Sequence, residues 1–275
     1  MLLTLVLPLP VFFSLGFLTH LAEKRWPLRA YEAPSPWMLD ALFWGASITA
    51  TVACRIAFPH LFGRLANVPG IAGLLVVSHA AATALPWPVT FLISVILLDF
   101  LLYWSHRLLH TSLFWHTHAA HHSVEHLYWF AGNRASPVHI IVQLTCGALL
   151  GLIWPVSGGA NAIVASTVLY NCIQHFNHAN ISWRLGKLEW LIVVPRYHFV
   201  HHGEERRLND SNFGFLFTVW DRMFGTYTNP DSAEDNFRLG LNYEVGLGRL
   251  FIGLGPKAEQ KAPALSSASS VEGAQ

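Results

Sequence analysis

Four groups of histidines are the feature that most restricts how this chain can fold. Thirteen of its 16 histidines lie between His106 and His202. The groups are His106-x3-His110, His118-x2-His121-His122, His175-x2-His178 and His198-x2-His201-His202. Residues three and four positions apart share one face of a helix, so each group would point its imidazoles to one side. The fold must therefore bring together segments that are far apart in the sequence.

The number of grouped histidines indicates a site for two metal ions. Neutral imidazole is the commonest metal ligand in proteins and suits iron, zinc, copper and nickel. A single zinc ion takes about four ligands, which is fewer than the histidines grouped here. Histidines on solvated helix faces or in hydrogen-bonded core positions are the alternative. That alternative suits isolated residues such as His20, His60, His79 and His139, but not two copies of H-x-x-H-H.

Composition indicates an integral membrane protein. Hydrophobic residues make up 53% of the 275 residues, charged residues make up 12%, and the mean hydropathy is +0.38. Soluble domains carry about 25% charged residues. The net charge of +1 argues against a nucleic-acid-binding protein, which needs a concentrated basic face. The three cysteines are widely spaced without any C-x-x-C, so we expect free thiols.

Long apolar stretches predict an all-α membrane protein with several transmembrane or re-entrant helices, about four or more. Spans are predicted at 1–20, 37–58, 71–85 and 89–105, with a loop at 59–69. An amphipathic helix outside the hydrocarbon is predicted over 106–134. Apolar runs at 139–155 and 160–170 predict a further hairpin, and Pro195 favours the first turn of a new helix. The histidines follow the spans and are expected to form a helical cap, which we place on the cytoplasmic side.

The domain organisation follows from the same patterns. We expect one membrane-embedded domain over 1–255, with a core of histidine motifs at 98–228. Residues 256–275 are rich in alanine, serine, glutamine and lysine without periodicity, and they predict a disordered tail.

Four polar residues are candidate hydrogen-bond partners of the ligand imidazoles: Asp99, Asp210, Asn212 and Asp221. Asp99 precedes His106 by seven residues, about two helical turns, and so lies on the same helix face. Asp210 and Asn212 follow the last histidine group. Metal-bound histidines need acceptors for their second ring N–H. Helix capping and turn formation are the alternative roles for Asp210 and Asn212.

A dimetal site beside membrane helices indicates a lipid-like substrate that arrives through the bilayer. Iron is favoured over zinc because zinc has no redox chemistry, and two irons can use O2 to attack an unactivated C–H bond. One oxygen atom would enter the substrate and water would be the other product, with desaturation as the nearest variant. The chain has no dinucleotide fingerprint, so a separate reductase, ferredoxin or cytochrome is expected to supply two electrons.

Two other classes of function compete with this interpretation. A membrane zinc-dependent hydrolase needs a general base, as in H-E-x-x-H, and that motif does not occur in the sequence. A metal-binding or metal-transport protein would distribute polar ligands through the membrane depth, whereas these histidines follow the spans. Both alternatives predict that the protein consumes no oxygen.

The motifs together resemble the fatty acid hydroxylase/sterol desaturase superfamily. The resemblance rests on the order HRLLH, HTHAAHH, HFNHAN, PRYHFVHH, DSNFG and WDRMFGTY, within residues 98–227. It implies a non-haem di-iron oxygenase with about four membrane helices and a cytoplasmic metal-binding cap. Superfamily members handle sterols, fatty acyl chains, sphingoid lipids, alkyl ethers and carotenoids, and the apolar spans do not distinguish among these substrates.

The resemblance also implies the set of catalytic metal ligands. These are His106, His110, His118, His121, His122, His178, His198, His201 and His202, with His175 as a tenth. Gln174 lies four residues before His178, so either Gln174 or His175 could face the metals.

Overall fold

The computed structural model describes residues 8–31, 36–154, 160–232 and 237–255. Within these ranges the regular elements are all helical, and β-pairing is confined to three isolated bridges. An all-α architecture is therefore confirmed for the described part of the chain. The predicted disordered tail at 256–275 and the start of the first predicted span lie outside the described residues.

Eleven α-helices occur in the described ranges. They are α1 Pro8–Arg25, α2 Trp37–Ala66, α3 Pro69–Thr83, α4 Trp87–Leu109, α5 Trp115–His122, α6 Pro137–Ile153, α7 Ala160–His178, α8 Pro195–His201, α9 Arg206–Asn209, α10 Val219–Phe224 and α11 Leu247–Phe251. Short 3-10 helices occupy Ala131–Asn133 and Gly186–Trp190.

Two of these helices, α2 and α4, are long and apolar enough to cross a membrane. The 23 residues of α4 extend about 34 Å, against a hydrocarbon thickness of about 30 Å. Leucine and isoleucine side chains remain exposed along both helices, for example Leu42 on α2 and Leu92 on α4. Helices α3 and α6 are apolar but shorter.

Helix α2 is longer than expected because it continues through Pro59 to Ala66. The predicted loop at 59–69 is therefore wrong over most of its length. A proline removes one intrahelical hydrogen bond, and in an apolar helix neighbouring groups can compensate for that loss. The chain leaves the helix at Asn67, and Pro69 opens α3 within its first turn.

The predicted continuous helix over 106–134 is also wrong. Helix α4 runs on to Leu109, so the membrane helix itself carries His106, and His110 is its C-cap. A turn then leads to α5, which has only eight residues. The helix breaks here because its histidines are buried and must converge, whereas an amphipathic helix on a membrane surface would keep one face in water.

The membrane helices and the histidine-bearing helices share one packed core. Helix α6 packs against both α2 and α4, and α1 packs against α7. Phe43 of α2 is buried with Ala119 and Ala120 of α5 and Leu250 of α11. Because of this cluster, α2 supports the same helix that carries the second histidine group.

Candidate metal centre

Four helices deliver the histidines to one place. His106 and His110 come from the end of α4, and α5 contributes three histidines. Helix α7 ends at His178, and α8 contributes the last group, as its proline at the first turn predicted. Segments that are nearly 100 residues apart in the sequence therefore meet at a single centre.

Nine imidazoles form two neighbouring groups, each able to hold a metal ion. The ligand atoms within each group all lie within 4.8 Å of one another. The first group is His106, His110, His118, His122 and His201, and the second is His121, His178, His198 and His202. All nine are buried except His106, which is partly buried. Nine of the ten predicted ligands are thus brought together.

Ring nitrogens converge within the groups. In the second group, Nε2 of His178 lies 3.2 Å from Nε2 of His121 and 3.0 Å from Nε2 of His198. Nε2 of His202 lies 3.2 Å from the same nitrogen of His198. In the first group, Nε2 of His106 and of His118 are 3.1 Å apart. Several lone-pair-bearing nitrogens aimed at one point form the donor set of a metal ion.

The opposite ring nitrogens of four ligands are held by backbone carbonyls. Nδ1–H of His106 donates to Phe213 at 3.0 Å, that of His121 to Arg134 at 3.2 Å, that of His178 to Gln174 at 3.0 Å and that of His201 to Ser211 at 2.7 Å. A proton fixed on Nδ1 leaves the lone pair on Nε2 free to face a metal.

Several of the grouped ring nitrogens have no hydrogen-bond partner in the protein, which fits a role as metal ligands. Both ring nitrogens of His110 and of His122, and Nε2 of His201, are buried without a hydrogen-bond partner. Such orphaned polar atoms are rare in folded proteins and need an explanation. Burial lowers the pKa of seven of these imidazoles well below the ordinary value of 6.5, so they are neutral at physiological pH, as metal ligands must be.

His175 lies in neither group. Its ring stacks on Trp129, with centroids 4.9 Å apart, and its Nδ1 donates to the carbonyl of Asn171 at 2.5 Å. The amide of Gln174 donates to the carbonyl of Gly132. Helix α7 thus turns one histidine, His178, toward the centre, because residues three apart on a helix differ by about 60° in direction.

Two of the polar candidates, Asp99 and Asn212, form hydrogen bonds with the backbone around the centre. Asp99 accepts hydrogen bonds from the backbone N–H of Leu216 and Phe217 and from the Trp220 indole, at 2.7, 3.1 and 2.7 Å. It reaches His106 only indirectly, since the segment that it holds continues from Phe213. This is a different arrangement from the direct contact with an imidazole that the spacing predicts.

Asn212 contacts the backbone, whereas Asp210 lies beside an imidazole. Asn212 bonds the backbone of Tyr197 and Thr228 and adopts a left-handed conformation with φ of 57°, so it shapes a turn. Asp210 places Oδ1 3.5 Å from Nδ1 of His110. That separation is too long for a well-formed hydrogen bond, and a neutral His110 forms no ion pair with the carboxylate.

A further carboxylate, that of Asp221, holds the segment that covers the centre through four hydrogen bonds. Asp221 accepts from the backbone N–H of Phe213 and Gly214, both at 2.8 Å, and from the hydroxyls of Tyr197 and Thr226. Burial raises the pKa of this carboxyl. Phe213 places its ring 5.0 to 5.5 Å from the rings of three first-group histidines, where it forms an apolar wall.

His139 is a residue of the centre that sequence reasoning missed. It is buried on α6, and its Nδ1 lies 3.2 Å from Nδ1 of His118. Ser136 caps the same helix by accepting from the backbone N–H of His139, and its hydroxyl donates to the carbonyl of Thr117. The sequence signal for it was its position in the first turn of the helix that begins at Pro137, after the second histidine group.

Gly132 allows the close approach of His178. A Cβ at this position would collide with the imidazole ring of His178. The 3-10 turn Ala131–Asn133 can therefore lie against the second group only with glycine there.

Comparison with known proteins agrees with this geometry. The fatty acid hydroxylase family profile matches residues 91–226. Alkylglycerol monooxygenase of Homo sapiens is 30% identical over 240 residues, which cover 86% of this chain and 50% of that protein. Ornithine lipid hydroxylase OlsE of Rhizobium tropici is 31% identical over 235 residues, covering 83% of this chain and 67% of OlsE.

A third relative is named for a sterol substrate. Lathosterol oxidase of Rattus norvegicus is 29% identical over 143 residues, half of this chain. The chain spans about half the length of the human monooxygenase that it matches. No solved structure gives a significant match. The matching profile, the relatives and the order of the histidine motifs show that this chain belongs to the fatty acid hydroxylase/sterol desaturase superfamily.

Proposed function

We propose that the protein is a membrane-bound non-haem di-iron oxygenase that hydroxylates a C–H bond of a lipid-like substrate. The observation that carries the proposal is the pair of buried histidine groups, five and four imidazoles. One oxygen atom of O2 would enter the C–H bond as hydroxyl. The other would leave as water, with two protons and with two electrons from a separate donor. Desaturation of the same substrate is the nearest variant.

Iron fits the proposal better than zinc. A closed structural zinc site takes about four ligands and performs no redox chemistry, whereas nine imidazoles in two adjacent groups suit two redox-active ions. Two irons bound there would supply the reduction of O2 and the oxidising power to break an unactivated C–H bond. The proposed ligands are the nine grouped histidines, and His175 is left outside the set.

The chain's own residues would orient the ligands and keep water away. The carbonyls of Phe213, Arg134, Gln174 and Ser211 hold the Nδ1 proton of four ligands. This fixes both the tautomer and the ring direction. The Phe213 ring and the buried half of α5, from His118 to His122, would limit the access of water to the centre, and exclusion of water protects reactive chemistry from side reactions.

The proposed membrane arrangement adds further helices to the two candidate spans, α2 and α4. Helices α1, α3, α6 and α7 would lie in the bilayer with α2 and α4, and the histidine-bearing ends would form a cap on the cytoplasmic side. Trp26 and Trp183 are both exposed and in edge-to-face contact where α1 meets the cap. Exposed tryptophan is typical of the membrane interface. The described part of the chain up to residue 255 would form one domain.

The names of the relatives support a lipid substrate. They are described as acting on alkylglycerol, ornithine lipid and lathosterol, which share an apolar body and a polar end. A substrate of that kind would partition into the bilayer and reach the centre from the membrane side. The electron donor would be a separate reductase, ferredoxin or cytochrome.

Metal content is the decisive measurement. Protein purified in detergent without chelator would be analysed for bound metals and by iron Mössbauer spectroscopy, with oxygen consumption followed after lipid and reductant are added. Two coupled irons per chain and lipid-dependent oxygen uptake are expected. Zinc alone, persisting after anaerobic iron reconstitution, would favour the hydrolase alternative, and an iron-loaded protein that never consumes oxygen would refute the oxygenase.

A further inference from the structure

An apolar cavity of about 340 Å³ lies among the membrane helices α4, α6 and α7. This volume is at the lower end of the range for small-molecule sites, about 300–1,000 Å³. Its α4 wall is one helix face, with lining residues at three- and four-residue spacing from Phe91 to Leu102. Those eleven steps extend about 16 Å along the helix. A volume of about 340 Å³ spread over this length makes the cavity narrow in cross-section.

The direction of the helices identifies the two ends of the cavity. Helix α6 runs antiparallel to α4, because the thiol of Cys146 contacts the carbonyl of Leu101 while the indole of Trp154 donates to the carbonyl of Thr90. Trp154 and Phe91 therefore lie together at one end of the cavity, the deep end. Leu102 lies at the other end, one helical turn before His106.

The shallow end borders the histidine centre. Phe215 and Leu216 line the cavity there. They follow Phe213, whose carbonyl holds His106. The cavity and the proposed metal site are thus separated by a few residues of one segment, and Asp99 fixes that segment to α4 through its bonds to Leu216 and Phe217.

The lining of the cavity is suited to a hydrocarbon chain. Among the described residues that line it, Asp99 alone is charged, and both of its oxygens already accept hydrogen bonds from the protein. Gly147 and Gly151 lie one turn apart on α6, and a Cβ at either position would meet no atom within 4 Å. This open glycine wall leaves room for a chain to enter sideways from between the helices.

We propose that this cavity binds one unbranched alkyl or acyl chain of the lipid substrate, with its methyl end at Trp154 and its headgroup-proximal carbons at the histidine centre. This proposal rests on the proposed function, because only an oxygenase would attack a C–H bond of the bound chain. Oxidation would then occur near the polar end of the chain and never at the terminal methyl. A fused-ring sterol would not fill the narrow deep end.

Photo-crosslinking tests the orientation without any turnover. The probes are two monoalkyl lipids, one with a diazirine at the terminal carbon and one with a diazirine next to the headgroup. Peptide mapping should place the terminal label on Phe91 or Trp154, and the other label near Leu102 or Phe215. The reverse order, or labelling that misses the cavity with both probes, would overturn the proposal. So would competition by a sterol that equals competition by unlabelled monoalkyl lipid.

Glycine variants test the depth of the site. In Gly151→Leu, the new side chain would occupy the space of the distal methylenes and weaken competition by long-chain lipid about tenfold, while short-chain lipid is little affected. Gly73→Leu on α3 is the matched control, because a Cβ there also meets nothing within 4 Å and Gly73 does not line the cavity. Equal behaviour of the two variants toward long and short chains would contradict the chain site.

The two proposals fail separately. Correct labelling in a protein that holds no iron and consumes no oxygen would keep the lipid site and reject the oxygenase. Lipid-dependent oxygen uptake with labels elsewhere would do the opposite.

Discussion

Arg134 and Asp40 connect the apolar helix α2 to the candidate metal centre. Nε of Arg134 lies 2.6 Å from Oδ1 of Asp40, and both side chains are buried. The carbonyl of the same arginine accepts the Nδ1 proton of His121. A single residue thus holds a ligand through its backbone and a membrane helix through its side chain. The sequence placed Asp40 near the end of a span but did not indicate its partner.

Asp40→Asn should destabilise the protein strongly. Removal of one partner from a buried ion pair leaves an uncompensated charge and costs about 3–5 kcal/mol. Thermal unfolding in detergent measures the effect. Asp231→Asn is the matched control, because Asp231 pairs with Arg184 at the surface and an exposed pair contributes only about 0–1 kcal/mol. Similar shifts of Tm in both variants would contradict a structural role for the buried pair.

Single ligand substitutions should have unequal effects on metal content. His198→Ala leaves three imidazoles in the group of four, whereas His122→Ala leaves four in the group of five. We expect the His198 variant to lose about one metal per chain, and the His122 variant to retain both metals with weaker binding of the ion in the first group. Metal analysis after dialysis against a weak chelator measures both effects.

His116→Ala is the control for the ligand variants, since His116 lies on the same helix as His122 but is exposed. Full metal content and turnover in both ligand variants would reject the assignment.

His139 should act as a positioning residue for His118. With Nε2 of His118 facing a metal, its Nδ1–H would donate to Nδ1 of His139, 3.2 Å away. His139→Leu removes this acceptor and should weaken metal affinity about 10–100-fold, as is typical for such partners. Chelator competition measures the affinity of each variant.

His139→Asn can supply an amide oxygen as acceptor and should recover part of the affinity. Recovery in the asparagine variant distinguishes a hydrogen-bonding role from simple packing. If the leucine and asparagine variants bind metal equally well, the hydrogen bond does not position His118.

The metal-free protein should lose stability as pH falls below about 6.5. Burial holds the pKa of His118, His122 and His201 well below the ordinary value of 6.5 in the folded state. The unfolded chain therefore binds more protons as the pH drops through 6.5, and the free energy of unfolding decreases. Each such group contributes a slope of about 1.4 kcal/mol per pH unit.

Unfolding of the metal-free and iron-loaded protein between pH 8 and 5 checks this prediction. Bound metal should move the loss to lower pH, because protons must then compete with the metal for the same nitrogens. A stability profile that stays flat through this range in the metal-free protein would mean that these imidazoles are solvated.

Much of the centre could be predicted from spacing alone. Helical periodicity fixes which side chains share a face, so H-x-x-H-H predicted three convergent imidazoles on α5 and again at α8. The same argument could not separate His175 from His178. Both positions are compatible with a turn toward the centre, and the choice depends on the rotation of α7 against the aromatic side chains of Trp129 and Phe12.

Local chemistry thus determined the class of this protein: the apolar helices, the histidine groups and their capacity to hold two metals. Tertiary structure decided how the nine imidazoles divide into groups of five and four, that His139 joins the centre, and that Asp99 holds backbone and not an imidazole. These features depend on contacts between different segments of the chain, for example His106 with His118 and Asp99 with Leu216. The periodicity of a sequence cannot predict such contacts, because their geometry is set by how α4, α5, α6, α7 and α8 pack against one another.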